Sequence, residues 1–234
     1  MFTLAGPGSA LIEVATAFAT AVVRRIDLRH HQGAHPRFGA LDVVPWVALS
    51  DWPLQPAPID LAVERRDEFA RWAGTALDLP CFLYGPERSL PEVRRTAWSS
   101  SWPDQGPRTP HPTAGAAAVG ARPPLVAYNL WLAAADLARA RAIAAGLRGP
   151  SVRALGLAAG DRVQVSCNLI DPQRVGPAAV FDAVASQAAI DRAELVGLLP
   201  AAVLDATPSH RWSELDLARS RTIEARLEEA GLSN

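Results

Sequence analysis

The sequence contains no lysine, because all 23 of its basic residues are arginines. This absence excludes the enzyme classes that depend on a lysine, namely Schiff-base enzymes, P-loop nucleotide-binding proteins and protein kinases. The 24 acidic residues leave a formal net charge of -1, and no run of like charges occurs. A chain without a basic surface is a poor candidate for binding nucleic acid or an acidic membrane. What remains is acid-base, arginine or backbone chemistry.

Cysteine and long apolar runs are also scarce. The two cysteines, Cys81 and Cys167, lie in apolar segments without metal-ligand spacing, which predicts buried, reduced thiols. The apolar stretch 11–23 contains Glu13 and follows no basic region, so neither a signal peptide nor a membrane span fits it. We therefore expect a cytoplasmic protein. With 49% hydrophobic and 20% charged residues, the chain can bury a substantial core.

Hydrophobic periodicity predicts helices and strands on both sides of a proline-rich stretch, residues 85–124. Trp98 and Trp102 argue that this stretch packs, and we interpret it as an ordered loop that lines a cleft. Two α+β halves that meet near Pro124 follow from the order of elements. The predicted helices are 11–26 with Ser9 as N-cap, 59–77, 136–147, 177–189 and 212–230; the predicted strands are 41–49, 81–84, 125–132, 152–157, 162–170 and 195–199, with a hairpin turn at 159–161.

Residues 29–37, which we call the histidine segment, hold three of the five histidines between two arginines. Pro36 forbids a regular helix here, and the histidines lack the helical spacing of a zinc site, so we expect no metal. Backbone hydrogen bonds could account for one or two imidazoles in a structural turn. Acid-base chemistry near neutral pH needs a group that titrates near ~6.5, which imidazole supplies. A catalytic segment is the better interpretation.

Two further segments have both a structural and a functional interpretation. The strand 162–170 alternates apolar residues with Gln164, Ser166 and Asn168, and this polar face is either exposed to solvent or the floor of a ligand cleft. Residues 106–115, which we call the proline loop, are stiffened by prolines, while Gly115 permits close approach of a ligand to the backbone. As a bare pattern, a loop of this kind more often only connects elements.

The sequence of residues 27–42 closely resembles the signature of glutamate formimidoyltransferases, including the transferase part of formimidoyltransferase-cyclodeaminase. The signature reads Asp-Leu-Arg-His-His-Gln-Gly-Ala-His-Pro-Arg-Phe-Gly-Ala-Leu-Asp in this chain. Further segments similar to that family follow in order and cover nearly the whole chain: 83–85, 102–107, 111–116, 119–122, 127–129, 164–169 and 195–200.

This resemblance implies an α+β fold of two ferredoxin-like-type subdomains, each a mixed or antiparallel sheet covered by helices, with a ligand cleft between them. Residues 1–124 would form the N-terminal subdomain, and residues 125–234 the C-terminal subdomain with a terminal helix. His35 would be the catalytic acid-base residue, supported by His30 and His31. The implied folate-binding residues are those of the proline loop: Gly106, Pro107, Arg108, Thr109, Pro110, His111, Pro112, Thr113, Ala114 and Gly115.

The implied reaction is transfer of the formimidoyl group from N-formimidoyl-L-glutamate to N5 of tetrahydrofolate, in histidine degradation. Tetrahydrofolate would be a co-substrate, and no metal is implied. Arg37 and Arg122 are candidates for binding carboxylates of the substrate or the folate, and either could instead form a structural ion pair. Asn168 is a further candidate for binding the substrate.

The chain departs from the family pattern at three places. Residues 1–6 align inside a strand that, in the family, follows an earlier strand, helix and strand, so we expect the first subdomain to lack these elements. Ala34 stands where relatives often carry an acidic residue, and the segment 94–102 is short. The alternatives are a misassigned start, a catalytically impaired folate-binding or interaction protein of the same fold, and transfer of a formyl group to tetrahydrofolate. An exposed sheet edge would be compatible with a homodimer.

Overall fold

The computed structural model describes residues 2–31, 37–49 and 58–232 of the chain. The chain divides into two compact units, Phe2–Pro123 and the residues from Pro124 onward. Each unit contains one sheet and its own helices, which confirms the α+β class. Among the described helices, none is long and apolar enough to cross a membrane.

The first unit has a three-stranded sheet in the order β1-β3-β2, in which all strands are parallel. Its elements are α1 (Gly8–Arg25), β1 (Asp42–Trp46), α2 (Ile59–Ala76), β2 (Cys81–Tyr84), α3 (Leu90–Thr96) and β3 (Ala117–Ala121). The expectation of a mixed or antiparallel sheet is wrong for this unit. A long crossover joins each pair of successive strands: α2 connects β1 to β2, and α3 with its following loop connects β2 to β3. Each strand can therefore run in the same direction as the one before it.

The central strand β3 lies inside the stretch that the sequence predicts to be a loop, and this part of the prediction is wrong. Its five residues are all buried, because a strand with neighbours on both sides and helices on both faces has no exposed surface. The alanines and glycine of β3 lack the β-branched signature that marks most strands. The short helix α3 was missed as well; the Ser89 hydroxyl caps it by accepting the Glu92 N–H at 3.4 Å.

Helices α1 and α2 cover one face of this sheet, and α3 packs on the other face. Phe69 of α2 packs against the ring of Trp46 at the end of β1, with the ring centroids 5.9 Å apart. Helix α1 begins after Pro7, so the expectation that Ser9 caps it is wrong. Residues 2–6 precede this helix without forming a strand.

The second unit is an antiparallel four-stranded sheet in the order β5-β6-β4-β7, with two helices on one face. Its elements are β4 (Val126–Leu132), α4 (Leu137–Leu147), β5 (Val152–Ala159), β6 (Arg162–Leu169), α5 (Pro177–Ala185) and β7 (Ile190–Val196). This order of elements is that of a ferredoxin-like fold. The hairpin between β5 and β6 is confirmed, with Gly160 at a φ of 64° in the turn.

The chain ends in α6 (Ala201–Asp205), two short 3-10 turns and α7 (Ile223–Glu229). The predicted helix 212–230 is therefore wrong over most of its length. Asp216 takes a φ of 54°, which a right-handed helix excludes, and the flanking Leu215 and Leu217 are both buried. The side chains of Asp216 and Arg221 instead bind Leu195 on the outer edge of β7, where the carboxylate accepts the Leu195 N–H at 2.8 Å and the guanidinium donates to the Leu195 carbonyl.

Candidate active site

The histidine segment is described at its two ends only. Residues 32–36, which include the predicted catalytic residue His35, lie outside the described residues. His30 and His31 are exposed on the first side of this gap. On the other side, the Arg37 guanidinium donates to the backbone carbonyl of His31 and contacts the Nδ1 atom of its ring. Arg37 thus joins the two ends of the segment, which is a structural use of a side chain predicted to bind a carboxylate.

A second arginine stabilises the start of the segment. The Arg29 side chain donates to the Asp27 carboxylate, with Nε 2.9 Å from Oδ1. This hydrogen bond lowers the pKa of Asp27 to about 2, so the carboxylate stays ionised at any ordinary pH. The pair lies at the surface and serves the local turn.

Backbone hydrogen bonds tie both sides of the histidine segment to the proline loop. Before the segment, the Leu28 N–H donates to the Thr113 carbonyl at 2.8 Å; after it, the Ala40 N–H donates to the Ala114 carbonyl at 2.9 Å. Gly39 also forms an isolated bridge with Gly115. The structure therefore brings together the flanks of the two segments that the sequence singles out, although they are far apart along the chain.

Asp42 holds the residues that follow the histidine segment. Its Oδ1 atom accepts the Phe38 N–H at 2.6 Å, and its Oδ2 atom accepts from Arg94 Nη2 at 2.8 Å. The backbone of Asp42 takes a φ of 47°, in the left-handed region that aspartate and asparagine tolerate. The Phe38 ring packs edge-on against Phe82, 5.1 Å between centroids. Sequence reasoning missed Asp42 and Arg94, because they are 52 residues apart and only the packing of α3 on the sheet brings them together.

The proline loop has two parts with different surroundings. At its start, Gly106 takes a φ of 82° and packs closely on α2, so that a Cβ at Gly74 would lie 2.6 Å from the Gly106 nitrogen. This glycine is needed for packing. By contrast, Arg108, Thr109 and Pro110 are exposed, and within the described part of the chain no hydrogen bond engages the Arg108 or Thr109 side chain. The exposed crest is the part that remains accessible to a ligand.

At its end, the proline loop closes into a tight turn from His111 to Gly115. The His111 N–H donates to the Gly115 carbonyl at 2.7 Å, and the Gly115 N–H returns a bond to the His111 carbonyl at 3.0 Å. Gly115 takes a φ of 71°, which favours glycine. Inside the turn, the Nδ1 atom of His111 accepts the Ala114 N–H at 3.0 Å and the Thr113 N–H at 3.3 Å.

Arg122 lies at the other end of β3, beside Tyr84 at the end of β2. The carboxyl ends of parallel strands are a common place for ligands. The guanidinium donates to the Pro123 carbonyl at 2.9 Å, and desolvation lowers its pKa, against the opposing effect of the Tyr84 side chain. No carboxylate of the described residues lies within ion-pair distance of it. Arg122 lies six positions beyond Ala116, next to the proline loop, which corresponds to roughly 20 Å of extended chain.

Comparison with known proteins identifies the family. Residues 1–122 match the formiminotransferase domain, N-terminal subdomain. The chain is 33% identical over 231 residues to glutamate formimidoyltransferase from Streptococcus pyogenes, covering 87% of this chain and 76% of that relative. The chain belongs to the glutamate formimidoyltransferase family. It is therefore an enzyme of the formimidoyltransferase kind, a class of transferase.

Two further relatives match this chain with similar identity and over a similar share of its length. The glutamate formimidoyltransferase of Thermoplasma acidophilum is 29% identical over 229 residues, which cover 86% of this chain and 74% of the relative. The formimidoyltransferase-cyclodeaminase of Sus scrofa is 31% identical over 240 residues, covering 88% of this chain but only 43% of that longer relative. The similarity thus extends beyond the first unit into the second.

The second unit presents a polar sheet face opposite α4 and α5. Asn168 is exposed on β6, whereas Gln164, four residues earlier on the same strand, is only 3% exposed and its Oε1 atom has no hydrogen-bond partner among the described residues. On the adjacent strands, Glu194 accepts from the Trp131 indole N–H at 2.8 Å and from the Asn129 amide at 3.1 Å. Sequence reasoning found the amides of β6 but not Glu194, which belongs to a strand predicted at the wrong residues. Among the described residues, no group of His, Cys, Asp and Glu side chains is arranged to hold a metal.

Proposed function

We propose that this enzyme transfers the formimidoyl group of N-formimidoyl-L-glutamate to N5 of tetrahydrofolate, as a step of histidine degradation. The observation that carries the proposal is the pair of backbone hydrogen bonds, from Leu28 and from Ala40, that fasten both sides of the histidine segment to residues 113 and 114. An acid-base segment and a folate-binding loop must lie together for a transfer to folate, and these bonds support that arrangement.

The acid-base role is assigned to His35, on the family signature that this residue matches. N5 of tetrahydrofolate attacks the amidine carbon, and a tetrahedral intermediate forms. His35 accepts the proton of N5 and returns a proton to the glutamate nitrogen, whereupon the carbon–nitrogen bond to glutamate breaks. One imidazole thus serves both steps, a contribution typically worth ~10²–10⁴ in rate.

Arg122 fits a carboxylate that is remote from the reacting atoms. It is a cation without an ion-pair partner among the described residues, and a strand length of roughly 20 Å separates it from the proline loop. The carboxylates of formimidoylglutamate lie only a few bonds from the amidine, whereas the glutamyl tail of tetrahydrofolate extends far from N5. We therefore assign Arg122 to that tail and Arg37 to the architecture of the histidine segment.

The remaining assignments follow the family. We propose residues 1–124 and 125–234 as its N-terminal and C-terminal subdomains, residues 106–115 as the folate-binding loop, and exposed Asn168 as a substrate-binding residue. Cytoplasmic location and a homodimer stay predictions.

The test is formation of 5-formimidoyltetrahydrofolate by the purified chain, with His35→Ala and His210→Ala as a matched pair. His210 is exposed in the second unit, so its variant should retain activity, while His35→Ala should lose ~10²–10⁴ in kcat. A folded protein that binds tetrahydrofolate without any turnover would support the catalytically impaired folate-binding protein instead, the alternative that Ala34 in place of an acidic residue favours. Parallel assays with a formyl donor decide between the two one-carbon groups.

A further inference from the structure

We propose that His111 is the residue of the proline loop that specifically recognises the folate, by donating its Nε2–H to a carbonyl oxygen of that co-substrate. The inference rests on the proposed function, because it assumes that the proline loop binds folate. It goes further by assigning one atom of one side chain to the contact.

The hydrogen bonds inside the turn decide which ring nitrogen of a neutral imidazole carries the proton. Nδ1 accepts two backbone N–H groups, from Ala114 at 3.0 Å and from Thr113 at 3.3 Å. A nitrogen that accepts a hydrogen bond carries no proton, so the single proton of the neutral ring must lie on Nε2. The turn therefore presents the Nε2–H tautomer of His111.

The Nε2–H group is left without a protein partner. All three hydrogen bonds to the His111 ring, two from backbone N–H groups and one with the Thr113 hydroxyl at 3.4 Å, involve Nδ1, and the described residues offer no acceptor to Nε2. The side chain is half-buried, on a turn whose Ala114 is fully buried and bonded to Ala40. A donor that is held rigidly, partly removed from water and unpaired is well prepared to bind a ligand, since little rotational freedom is lost on binding.

The chemistry of the donor selects the acceptor. A neutral imidazole N–H suits a neutral carbonyl oxygen, such as those of the pteridine ring and the benzoyl amide of tetrahydrofolate. Carboxylates are better served by guanidinium groups, and Arg108 on the exposed crest and Arg122 at the far end of β3 are available for that role. His111 therefore contributes to the binding of folate and not to that of the glutamate donor.

The experiment separates the two functions of the ring. Asparagine in place of His111 can supply its Oδ1 atom to the same backbone N–H groups, as in an Asx turn, but it removes the Nε2–H donor. His111→Asn should keep the thermal unfolding midpoint of the wild type, raise the Kd and KM for tetrahydrofolate about 3- to 10-fold, and leave the KM for formimidoylglutamate unchanged. His111→Ala, which loses both functions, should also unfold at lower temperature. His210→Asn is the matched control and should leave every value unchanged.

A wild-type Kd for tetrahydrofolate in a folded His111→Asn protein would overturn the inference, since the ring would then only build the turn. An equal rise in the KM for formimidoylglutamate would overturn it as well. Because Kd is measured by calorimetry without turnover, the comparison holds even if the chain binds folate but transfers nothing, in which case only the proposed function fails. Absence of any binding by the wild type would overturn both.

Discussion

The ring of Tyr84 lies directly against the Cα of Gly120, so that a Cβ on Gly120 would fall 2.0 Å from Tyr84 Cζ. These residues face each other across β2 and β3. The contact sets the position of the Tyr84 side chain, which neighbours Arg122 and counteracts the fall in its pKa. Because Gly120 has no side chain, the Tyr84 ring can lie across the central strand beside Arg122, the proposed carboxylate-binding residue.

Gly120→Ala should destabilise the protein, since the alanine methyl can be accommodated only if the Tyr84 ring moves. Overpacking of this kind typically costs about 1–3 kcal/mol. Urea unfolding measures the change. Gly146→Ala is the matched control, because a Cβ there meets no atom within 4 Å and Gly146 lies in α4, where alanine is favoured by up to about 1 kcal/mol. Equal effects of the two substitutions would contradict the packing argument.

Asp42→Asn should lower kcat clearly while it lowers the free energy of unfolding only slightly. Asparagine keeps the left-handed backbone and can still accept the Phe38 N–H, but it loses the ion pair with Arg94. A shift in the residues after the histidine segment should lower kcat by roughly 10- to 100-fold, as small displacements in active sites do. Steady-state kinetics test this against Asp78→Asn, an exposed aspartate with a nearly identical φ of 48°. A kcat like that of the control would show that Asp42 serves the fold alone.

Glu87→Gln should flatten the dependence of stability on pH in the acid range. The buried Arg66 side chain donates to both oxygens of Glu87, and this lowers the pKa of the carboxyl group. A carboxyl group with a lowered pKa stabilises the fold above its ordinary pKa, and this contribution is lost as the pH falls through the lowered value. Since the Glu87 side chain is 54% exposed, the effect at neutral pH should be at most about 1 kcal/mol.

Urea unfolding at several pH values from neutral to acid measures this contribution. Glu228→Gln, at an exposed residue without an ion pair among the described residues, is the control and should follow the wild-type curve. A wild-type slope in the Glu87→Gln protein would show that the Arg66 pair contributes nothing to the pH dependence.

Neither cysteine should react with a thiol reagent in the native protein. Burial raises the pKa of both Cys81 and Cys167 to about 12, so almost no thiolate exists near neutral pH, and both side chains are inaccessible. A colorimetric thiol assay at pH 8 should detect both groups in urea and neither without it. Rapid labelling of the folded protein would mean that one of these strands opens easily.

The sequence predicted well the elements whose pattern is local. Helix α2 and helix α4 show helical periodicity, and Asp136 caps α4 by accepting the Arg139 N–H at 2.7 Å. The hairpin between β5 and β6 follows from alternation and a glycine turn. The central strand β3 was missed because its burial depends on neighbours far away in the sequence. The sequence predicts a helix over 212–230, and residues 212–222 depart from it because their conformation depends on Leu195, a tertiary partner.

In the candidate site, too, the sequence indicates the segments but not the tertiary contacts between them. The resemblance singled out the histidine segment and the proline loop, but their hydrogen bonds follow from the parallel register that pairs Asp42 with Ala117. No spacing in the sequence reveals that register. Likewise, only the contact with Gly74 shows that Gly106 serves packing, and only the bond from Ala114 shows that the His111 ring builds the turn.

The side chains of Asp216 and Arg221 have a consequence for how the protein behaves at high concentration. Together they occupy the N–H and the carbonyl of Leu195, as the backbone of an added strand would do. An open strand edge is a template for aggregation, and proteins commonly protect such edges. Here a carboxylate and a guanidinium, themselves paired at 2.8 Å, close part of the β7 edge. Loss of either charge would make this edge available to β-strands of other chains. Such a variant should then precipitate at concentrations at which it still has its activity.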